Sequence, residues 1–285
     1  NNPLFIKNFS KDFKEILPPQ LKSYQFTDFD FSLIKKYIND KSEKYKNISK
    51  EEKEKIKKKN DILDEPYKTC VIDGSTQKIG NFKIEPPGIF LGRGKHPKSG
   101  KIKRRIYPND ITINLDKDAP IPKPFHSVQD EKERKKWGKI IHDRNVIWLA
   151  SWKDPITNKN KYIFTSMESI FKSKSDLSKF DLAKKLKSKS ASIRKAYEND
   201  LSSRDIKTSQ LATALYFIDK LALRVGGTKD KKEEADTVGI TSLRIEHINL
   251  LSDNTVKLDF LAKDSVRYCK KLKVLPAVYT NIDKY

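Results

Sequence analysis

Residues 85–106 of this chain are EPPGIFLGRGKHPKSGKIKRRI. The stretch holds three prolines, four glycines and seven lysines or arginines. Proline lacks a backbone N–H and glycine costs backbone entropy, so this mixture disfavours a helix. We expect a loop that brings the backbone close to an anion, surrounded by the cationic side chains Arg93, Lys95, Lys98, Lys101, Lys103, Arg104 and Arg105.

The charge balance of the whole chain indicates a polyanionic partner. Among 285 residues, Lys and Arg number 60 against 38 Asp and Glu, which gives a formal net charge of +22. Such a surplus is typical of proteins that bind nucleic acid. The hydrophobic content of 36% is enough for a core, and the length allows two domains.

Cysteine and histidine usage indicates neither a disulfide framework nor a metal cluster. Cys70 and Cys269 lie far apart without a CxxC pair, and the four histidines lack metal-ligand spacing. No apolar run approaches the roughly 18 residues of a membrane span, and no signal peptide is visible. We therefore expect no membrane partner, a reducing nuclear or cytosolic compartment and, since the chain begins at Asn1, an excerpt of a longer protein.

Hydrophobic spacing predicts α and β elements in the first half. Residues 26–46 form a predicted helix with Phe31, Ile34 and Ile38 on one face. A second helix begins at Ser49, which forms a capping box with Glu52. The lysine faces of both helices fit either a solvated surface or a DNA-facing arm. We further predict short strands over 67–84 with a turn at Asp73-Gly74, a strand through Ile111, Ile113 and Leu115, a proline-rich mobile loop over 118–136, and a hairpin of 146–152 and 161–164.

The second half is predicted to be mainly helical with one small sheet. Lysine-rich helices are expected over 176–200, and a helix from about Asp205 to Arg224 that ends at Gly226-Gly227. Its apolar face is predicted to be Leu211, Leu215, Ile218 and Ala222, with Ala214 and Leu221 alongside. Predicted strands follow at 242–250, 255–261 and 266–274, with Val256, Leu258 and Phe260 on one face and a turn at 262–265.

Three long motifs carry a family resemblance: ALYFIDKLALRVGG (214–227), ADTVGITSLRIEHINL (235–250) and LDFLAKDSVRY (258–268). Together with residues 85–106 and VIWLASW (146–152), they resemble the central core of the eukaryotic-type DNA topoisomerase IB family over about residues 26–283. The resemblance implies an α+β, bilobed DNA clamp of three parts: cap helices over 1–48, a DNA-contacting cap over 49–170, and the first part of a mainly helical catalytic lobe with a three-stranded antiparallel sheet over 171–285.

The reaction of that family needs cations but no cofactor. A tyrosine attacks a DNA phosphodiester, forms a 3′-phosphotyrosyl link and frees a 5′-hydroxyl, and the broken strand rotates before resealing. The pentacoordinate intermediate needs cations to offset its charge, and the leaving 5′-oxygen needs a proton. By resemblance, Arg224 is the first catalytic arginine, in the last turn of its helix, and Lys263 at the hairpin tip is the general acid. The resemblance implies neither a metal nor ATP.

The resemblance also implies contacts with duplex DNA in the nucleus. Arg93 matches a minor-groove arginine and Lys103 a nearby phosphate or groove contact, while Lys161, Lys229 and Thr237 match contacts with the DNA backbone. Lys95, Arg104, Arg105 and Asp264 complete the expected DNA-binding set. The site where planar poisons of the camptothecin type stack into the nick is matched by Phe90, Gly92, Arg93 and Asp264.

The family also requires a second arginine, a histidine and the nucleophilic tyrosine, and no segment here matches them. Tyr279 and Tyr285 do not lie in the family's tyrosine motif, so we expect the tyrosine further along the protein or on a second subunit. His247 is interpreted as a structural residue on a strand, and the tryptophans as core or loop anchors. Two other classes stay open: a tyrosine recombinase, which the glycine-rich loop disfavours, and a non-catalytic basic DNA-binding module, which the matched Arg224 and Lys263 disfavour.

Overall fold

The computed structural model describes residues 2–124 and 136–284, which form two compact units. The first comprises Asn1–Phe90 and Gly100–Leu177, and the second comprises Leu91–Ser99 and Ser178–Tyr285. The architecture mixes α and β elements, as predicted. Most of the predicted loop over 118–136 lies outside the described residues. None of the helices in the described ranges is long and apolar enough to cross a membrane.

Three helices open the first unit: α1 (Pro3–Ile16), α2 (Ser32–Asn47) and α3 (Lys50–Asp64). The predicted capping box of α3 is confirmed, because Ser49 and Glu52 exchange side-chain to backbone hydrogen bonds at 3.1 and 3.2 Å.

The predicted start and apolar face of α2 are wrong. Residues 26–28 form a separate 3₁₀ turn. Here Phe26, Phe29 and Phe31 pack edge-on against Phe13 of α1, which draws the chain off the helical path. Ile34 and Ile38 are consequently 57% and 58% exposed.

The strands that the structure describes in the first unit lie in three small sheets. The predicted turn at Asp73-Gly74 joins β1 (Thr69–Ile72) to β2 (Ser75–Lys78), and β3 (Gly88–Ile89) pairs with β4 (Ile102–Lys103) within the 85–106 run. The largest sheet has the order β6-β5-β7-β8, and its Ile113 is buried in one cluster with Ile106 and Ile111. Its strands are β5 (Thr112–Asn114), β6 (Lys139–Ile141), β7 (Trp148–Lys153) and β8 (Asn160–Phe164), which confirms the predicted strand and hairpin.

The 85–106 run is packed against α1 at its glycines. Gly100 has φ +94°, and a Cβ there would lie 2.3 Å from the carbonyl oxygen of Phe5. Asp12 of α1 accepts a hydrogen bond from the backbone N–H of Ile102 at 2.8 Å. The glycine content of the run therefore serves close backbone packing as well as a loop conformation.

One continuous helix, α4 (Ile170–Asp200), replaces the several helices predicted over 176–200. The next helix, α5 (Ile206–Leu221), begins where predicted, after Asp205, whose side chain caps it by accepting from the N–H of Thr208 at 2.9 Å. Its predicted apolar face is wrong in part, because Leu211 is 61% exposed whereas Ala212, Tyr216 and Phe217 are buried. The two aromatic side chains determine which face of α5 is buried, since each buries more apolar area than leucine does.

The predicted three-stranded antiparallel sheet is confirmed, with the order β11-β10-β9. Its strands are β9 (Ile248–Leu251), β10 (Thr255–Leu261) and β11 (Arg267–Lys273), followed by α6 (Pro276–Lys284). Val256, Leu258 and Phe260 share the buried face, as predicted. The first strand is shorter than predicted, because residues 240–242 and 245–247 form 3₁₀ turns.

Candidate functional site

Arg224 lies beyond its helix, not in the last turn as predicted. The helix α5 ends at Leu221, and Ala222 takes the left-handed conformation with φ +52° as its C-cap. A non-glycine residue at that position costs free energy, so its surroundings must hold it there. Arg224 therefore projects from an irregular, exposed segment that needs support from elsewhere in the chain.

Backbone contacts with residues 239–241 supply that support. The N–H of Ile240 donates to the carbonyl oxygen of Arg224 at 2.9 Å, and the N–H of Thr241 donates to that of Val225 at 2.9 Å. Gly226 has φ +89° and passes Gly239 so closely that a Cβ on Gly239 would lie 2.4 Å from the Gly226 Cα. The motif 235–250 thus holds the end of the motif 214–227.

The same segment is bonded to the strand that carries Lys263. The N–H of Val238 donates to the carbonyl oxygen of Leu261, the last residue of β10, at 2.9 Å. Lys263 follows in a tight 3₁₀ turn closed by a bond from the N–H of Ala262 to the carbonyl of Val266 at 2.8 Å. Residues 238–241 therefore bond to the backbone both at Arg224 and at Leu261, two residues before Lys263.

Both cations line one open cleft of about 560 Å³ within the second unit. Predicted DNA-backbone contacts lie here too: exposed Lys229 donates to the hydroxyl of Thr237, which is itself only 7% exposed. An arginine and two lysines around one cleft can stabilise a phosphoryl group that gains negative charge. The remaining wall is largely apolar and includes Leu221, Leu223, Phe260 and Tyr268.

Residues 91–99 contact the hairpin tip within the second unit. Exposed Arg93 forms an ion pair with Asp264, the residue after Lys263. A Cβ on Gly94, which has φ +57°, would meet the side chain of Ser265. Arg93 and Asp264, each predicted to contact DNA, are thus brought together beside the cleft.

A second ion pair of this segment was missed from the sequence. Lys98 pairs with Glu233 and keeps only 12% of its side chain exposed. The two residues are far apart along the chain, and no local pattern links them. Lys95 lines a smaller cavity of about 220 Å³ together with Asp236, Arg244 and His247.

His247 lies in a 3₁₀ turn before β9, not on a strand as predicted. Its Nδ1 accepts the backbone N–H of Arg244 at 3.1 Å, which closes the turn. Burial lowers the pKa of His247, and the neighbouring Arg244 charge adds to this. These contacts agree with the predicted structural role.

Gly92, with φ +69°, lies in the 91–99 segment of the second unit, and the remaining predicted residues belong to the first unit. Phe90 is half-buried, and its backbone bonds to Lys101 and Gly100 at 2.8 and 2.7 Å. The side chain of Lys103 is only 11% exposed and pairs with Glu85, and this bond lowers the pKa of Glu85. The charge of Lys161, exposed on β8, lowers it further.

The two arginines after Lys103 are both exposed. Arg104 makes two hydrogen bonds to Asp110, at 2.8 and 3.2 Å, and these raise its pKa. Arg104 also donates to the backbone carbonyl of Arg105 at 3.1 Å.

Two family models match the chain almost end to end. The model for the eukaryotic DNA topoisomerase I DNA binding fragment matches residues 1–165, and the model for the eukaryotic DNA topoisomerase I catalytic core matches residues 168–285. Together they include every residue of the cleft and of the 85–106 run.

Curated relatives agree with the family models. The chain is 43% identical to DNA topoisomerase 1 of Candidozyma auris and to that of Homo sapiens, in each case over 99% of the chain and 37% of the relative. Identity to DNA topoisomerase 1 of Caenorhabditis elegans is 42%, over 98% of the chain and 35% of the relative. The chain thus spans little more than a third of the length of these relatives. It belongs to the eukaryotic DNA topoisomerase I family and corresponds to the DNA-binding fragment together with part of the catalytic core.

Proposed function

We propose that the whole protein relaxes supercoiled DNA of both signs by transient cleavage of one strand and rotation about the other. The attacking tyrosine lies outside this chain, in a later segment or on a second subunit, and the intermediate is a 3′-phosphotyrosyl link. The observation that carries the proposal is the cleft where Arg224 and Lys263 lie together, in a chain of this family.

Each cation has a distinct task in the proposed reaction. Arg224 offers a fixed fork of donors to the non-bridging oxygens, where charge grows as the tyrosine oxygen bonds to phosphorus. Lys263 gives a proton to the 5′-oxygen as its bond to phosphorus breaks. The attacking tyrosine releases its phenol proton to water. Resealing reverses these steps, with the 5′-hydroxyl returning its proton to Lys263 as the tyrosine oxygen leaves phosphorus. The reaction needs neither a metal nor ATP.

The other predicted residues are proposed to hold the duplex. Arg93 and Asp264 would lie at the minor groove beside the cleaved base pair and, with Phe90 and Gly92, form the site for planar poisons. The proposed backbone contacts come from Lys95, Lys103, Arg104, Arg105, Lys161, Lys229 and Thr237. We further propose that the protein acts in the nucleus as a bilobed clamp, with cap helices over 1–48, a cap over 49–170 and the catalytic part over 171–285.

Relaxation of plasmid DNA by the full-length protein tests the proposal. Positively and negatively supercoiled plasmids should both be relaxed in EDTA without ATP, and Arg224→Ala should abolish this while leaving duplex binding intact. A strict magnesium requirement for cleavage would refute the proposal. Site-specific strand exchange would favour a recombinase, and binding without any covalent complex would favour a non-catalytic module.

A further inference from the structure

We propose that Arg267, acting through Asp259, is a positioning residue for Lys263. The inference rests on the proposed function, in which Lys263 protonates the leaving 5′-oxygen. It concerns what keeps the end of the β10–β11 hairpin in place while that proton is transferred.

The hairpin is supported unevenly along its length. Strand β9 pairs with β10 only over Thr255–Leu258, whereas β10 and β11 pair as far as Leu261 and Arg267. Beyond Leu258 the hairpin is a two-stranded ribbon, held from outside by the bond from Val238 to Leu261 and by the buried side chain of Phe260. Such a ribbon is marginally stable without further contacts. Lys263 is carried at the end of that ribbon.

The tip itself has a strained backbone. Asp264 and Ser265 both have positive φ, at 65° and 60°. Non-glycine residues are disfavoured in this region and persist there only where neighbouring contacts hold them. Arg93 holds Asp264, but we propose that Arg93 contacts DNA, so the tip needs a second support that remains when DNA binds.

The Asp259–Arg267 pair provides this support within the hairpin. Arg267 makes two hydrogen bonds to Asp259, from Nε at 2.8 Å and from Nη2 at 2.7 Å. It lies opposite Leu261, the last pair before the tip, and joins the two strands where β9 no longer pairs. The carboxylate is only 22% exposed, and the bond from Arg267 lowers its pKa to about 2. The pair therefore stays ionised at neutral pH.

Loss of the pair should affect the proton transfer more than DNA binding. A looser ribbon end would spread Lys263 over more positions, and misplacement of a proton donor by about 1 Å is costly to the rate. Two-point pairing by arginine cannot be fully replaced by lysine, which offers one compact ammonium. We expect Arg267→Ala to slow cleavage about 3- to 10-fold, and Arg267→Lys to slow it less, because a partly exposed pair contributes modestly.

Single-turnover cleavage by the full-length protein on two duplexes tests the inference. One duplex has an ordinary 5′-oxygen at the cut, and the other has a 5′-bridging sulfur, whose departure needs no proton. Arg267→Ala is compared with Lys271→Ala, which removes an exposed cation from the same strand near the base of the hairpin. The double exchange Asp259→Arg with Arg267→Asp restores a pair of reversed sign.

Arg267→Ala should cleave the 5′-oxygen duplex slowly and the 5′-sulfur duplex at nearly the rate of the unmodified protein. Lys271→Ala should cleave both duplexes at the normal rate. The double exchange should recover part of the cleavage rate on the oxygen duplex. An equal loss on both duplexes, or no loss on oxygen, would overturn the inference. Failure of the proposed function looks different: the unmodified protein would form no covalent complex, or Lys263→Ala would gain nothing from sulfur.

Discussion

Gly226 and Gly239 pass within a distance that no side chain allows: a Cβ built on Gly239 would lie 2.4 Å from the Gly226 Cα and 2.7 Å from the carbonyl oxygen of Arg224. This crossing lets Ile240 bond to the Arg224 carbonyl at 2.9 Å. The position of Arg224 therefore depends on a residue that is distant in sequence and has no side chain.

Gly239→Ala should destabilise the protein and remove most cleavage. The added methyl group meets backbone atoms, which cannot rotate away, and overpacking of this kind costs about 1–3 kcal/mol. Thermal unfolding and single-turnover cleavage measure the two effects. Gly227→Ala is the matched control, since a Cβ there would meet nothing within 4 Å. If both variants unfold at the same temperature as the unmodified protein, Gly226 and Gly239 do not pass this close to one another.

A three-residue cluster ties α4 to the end of α5. Asp219 accepts from Arg194 at 2.8 and 2.9 Å and from the hydroxyl of Tyr197 at 2.9 Å. The Arg194 bonds lower the pKa of Asp219 to about 2 from its ordinary 3.8. Burial, with the bond to Asp219, raises the pKa of Tyr197 to about 12 from 10.0. The cluster therefore stabilises the fold at pH values above the pKa of Asp219 and below the pKa of Tyr197.

Asp219→Asn should lower the free energy of unfolding by about 1–3 kcal/mol at neutral pH, because it weakens bonds to a charged group. Since the folded pKa is depressed, the stabilisation is present above pH 4 and is lost as the pH falls toward 2. The difference between variant and unmodified protein should shrink over that range in urea unfolding. Asp181→Asn, at an exposed ion pair with Lys184, should cost under about 0.5 kcal/mol. A difference that stays constant down to pH 2 would contradict this account.

Tyr197→Phe probes the alkaline limit of the same cluster. The raised pKa of Tyr197 gives stabilisation that is full below pH 10 and is lost as the pH rises through 12. The variant should be less stable at neutral pH and should show a flatter decline in stability above pH 10. Unfolding midpoints of both proteins, measured from neutral pH to above pH 10, test this prediction. If the two plots of midpoint against pH are parallel, Tyr197 does not cause the alkaline loss of stability.

Lys161 and Lys103 should respond differently in duplex binding. Lys161 is exposed, so its replacement by alanine should reduce the slope of log K against log salt concentration by about 0.9, the value for one neutralised phosphate. Lys103 is already paired with Glu85, and a phosphate must displace that carboxylate. Lys103→Ala should therefore change the slope less. Fluorescence anisotropy of a labelled duplex at several salt concentrations measures both, and equal changes would show that Glu85 does not compete.

Local patterns predicted much of this fold. The capping box at Ser49, the turn at Asp73-Gly74 and the buried alternation of Val256, Leu258 and Phe260 depend on residues near one another in sequence. The other predictions were wrong because contacts between residues distant in sequence determine those parts of the fold. The phenylalanines before α2 pack on α1, and Tyr216 and Phe217 set the buried face of α5.

In the candidate site, too, some features were predictable from the sequence and others depended on contacts between distant residues. Arg224 and Lys263 were predicted from long motifs, but the end of α5 at Leu221 could not be predicted, because nothing in the sequence around Ala222 indicates a left-handed cap. The partners of Lys98 and Lys103 were also hidden, since a run of cations does not show which carboxylate each one meets.

Arg224 and Lys263, which line one cleft, are proposed to have different tasks in cleavage. Single-turnover cleavage by the full-length protein, on duplexes with a 5′-bridging oxygen or sulfur, separates the two tasks. On oxygen, Lys263→Ala should be slower by about 10²–10⁴-fold, the range for general acid catalysis, and sulfur should restore most of that rate. Arg224→Ala should stay slow on both duplexes, because charge on the non-bridging oxygens needs an arginine whatever the leaving group. If sulfur rescues neither variant or both alike, the assignment of the two residues is contradicted.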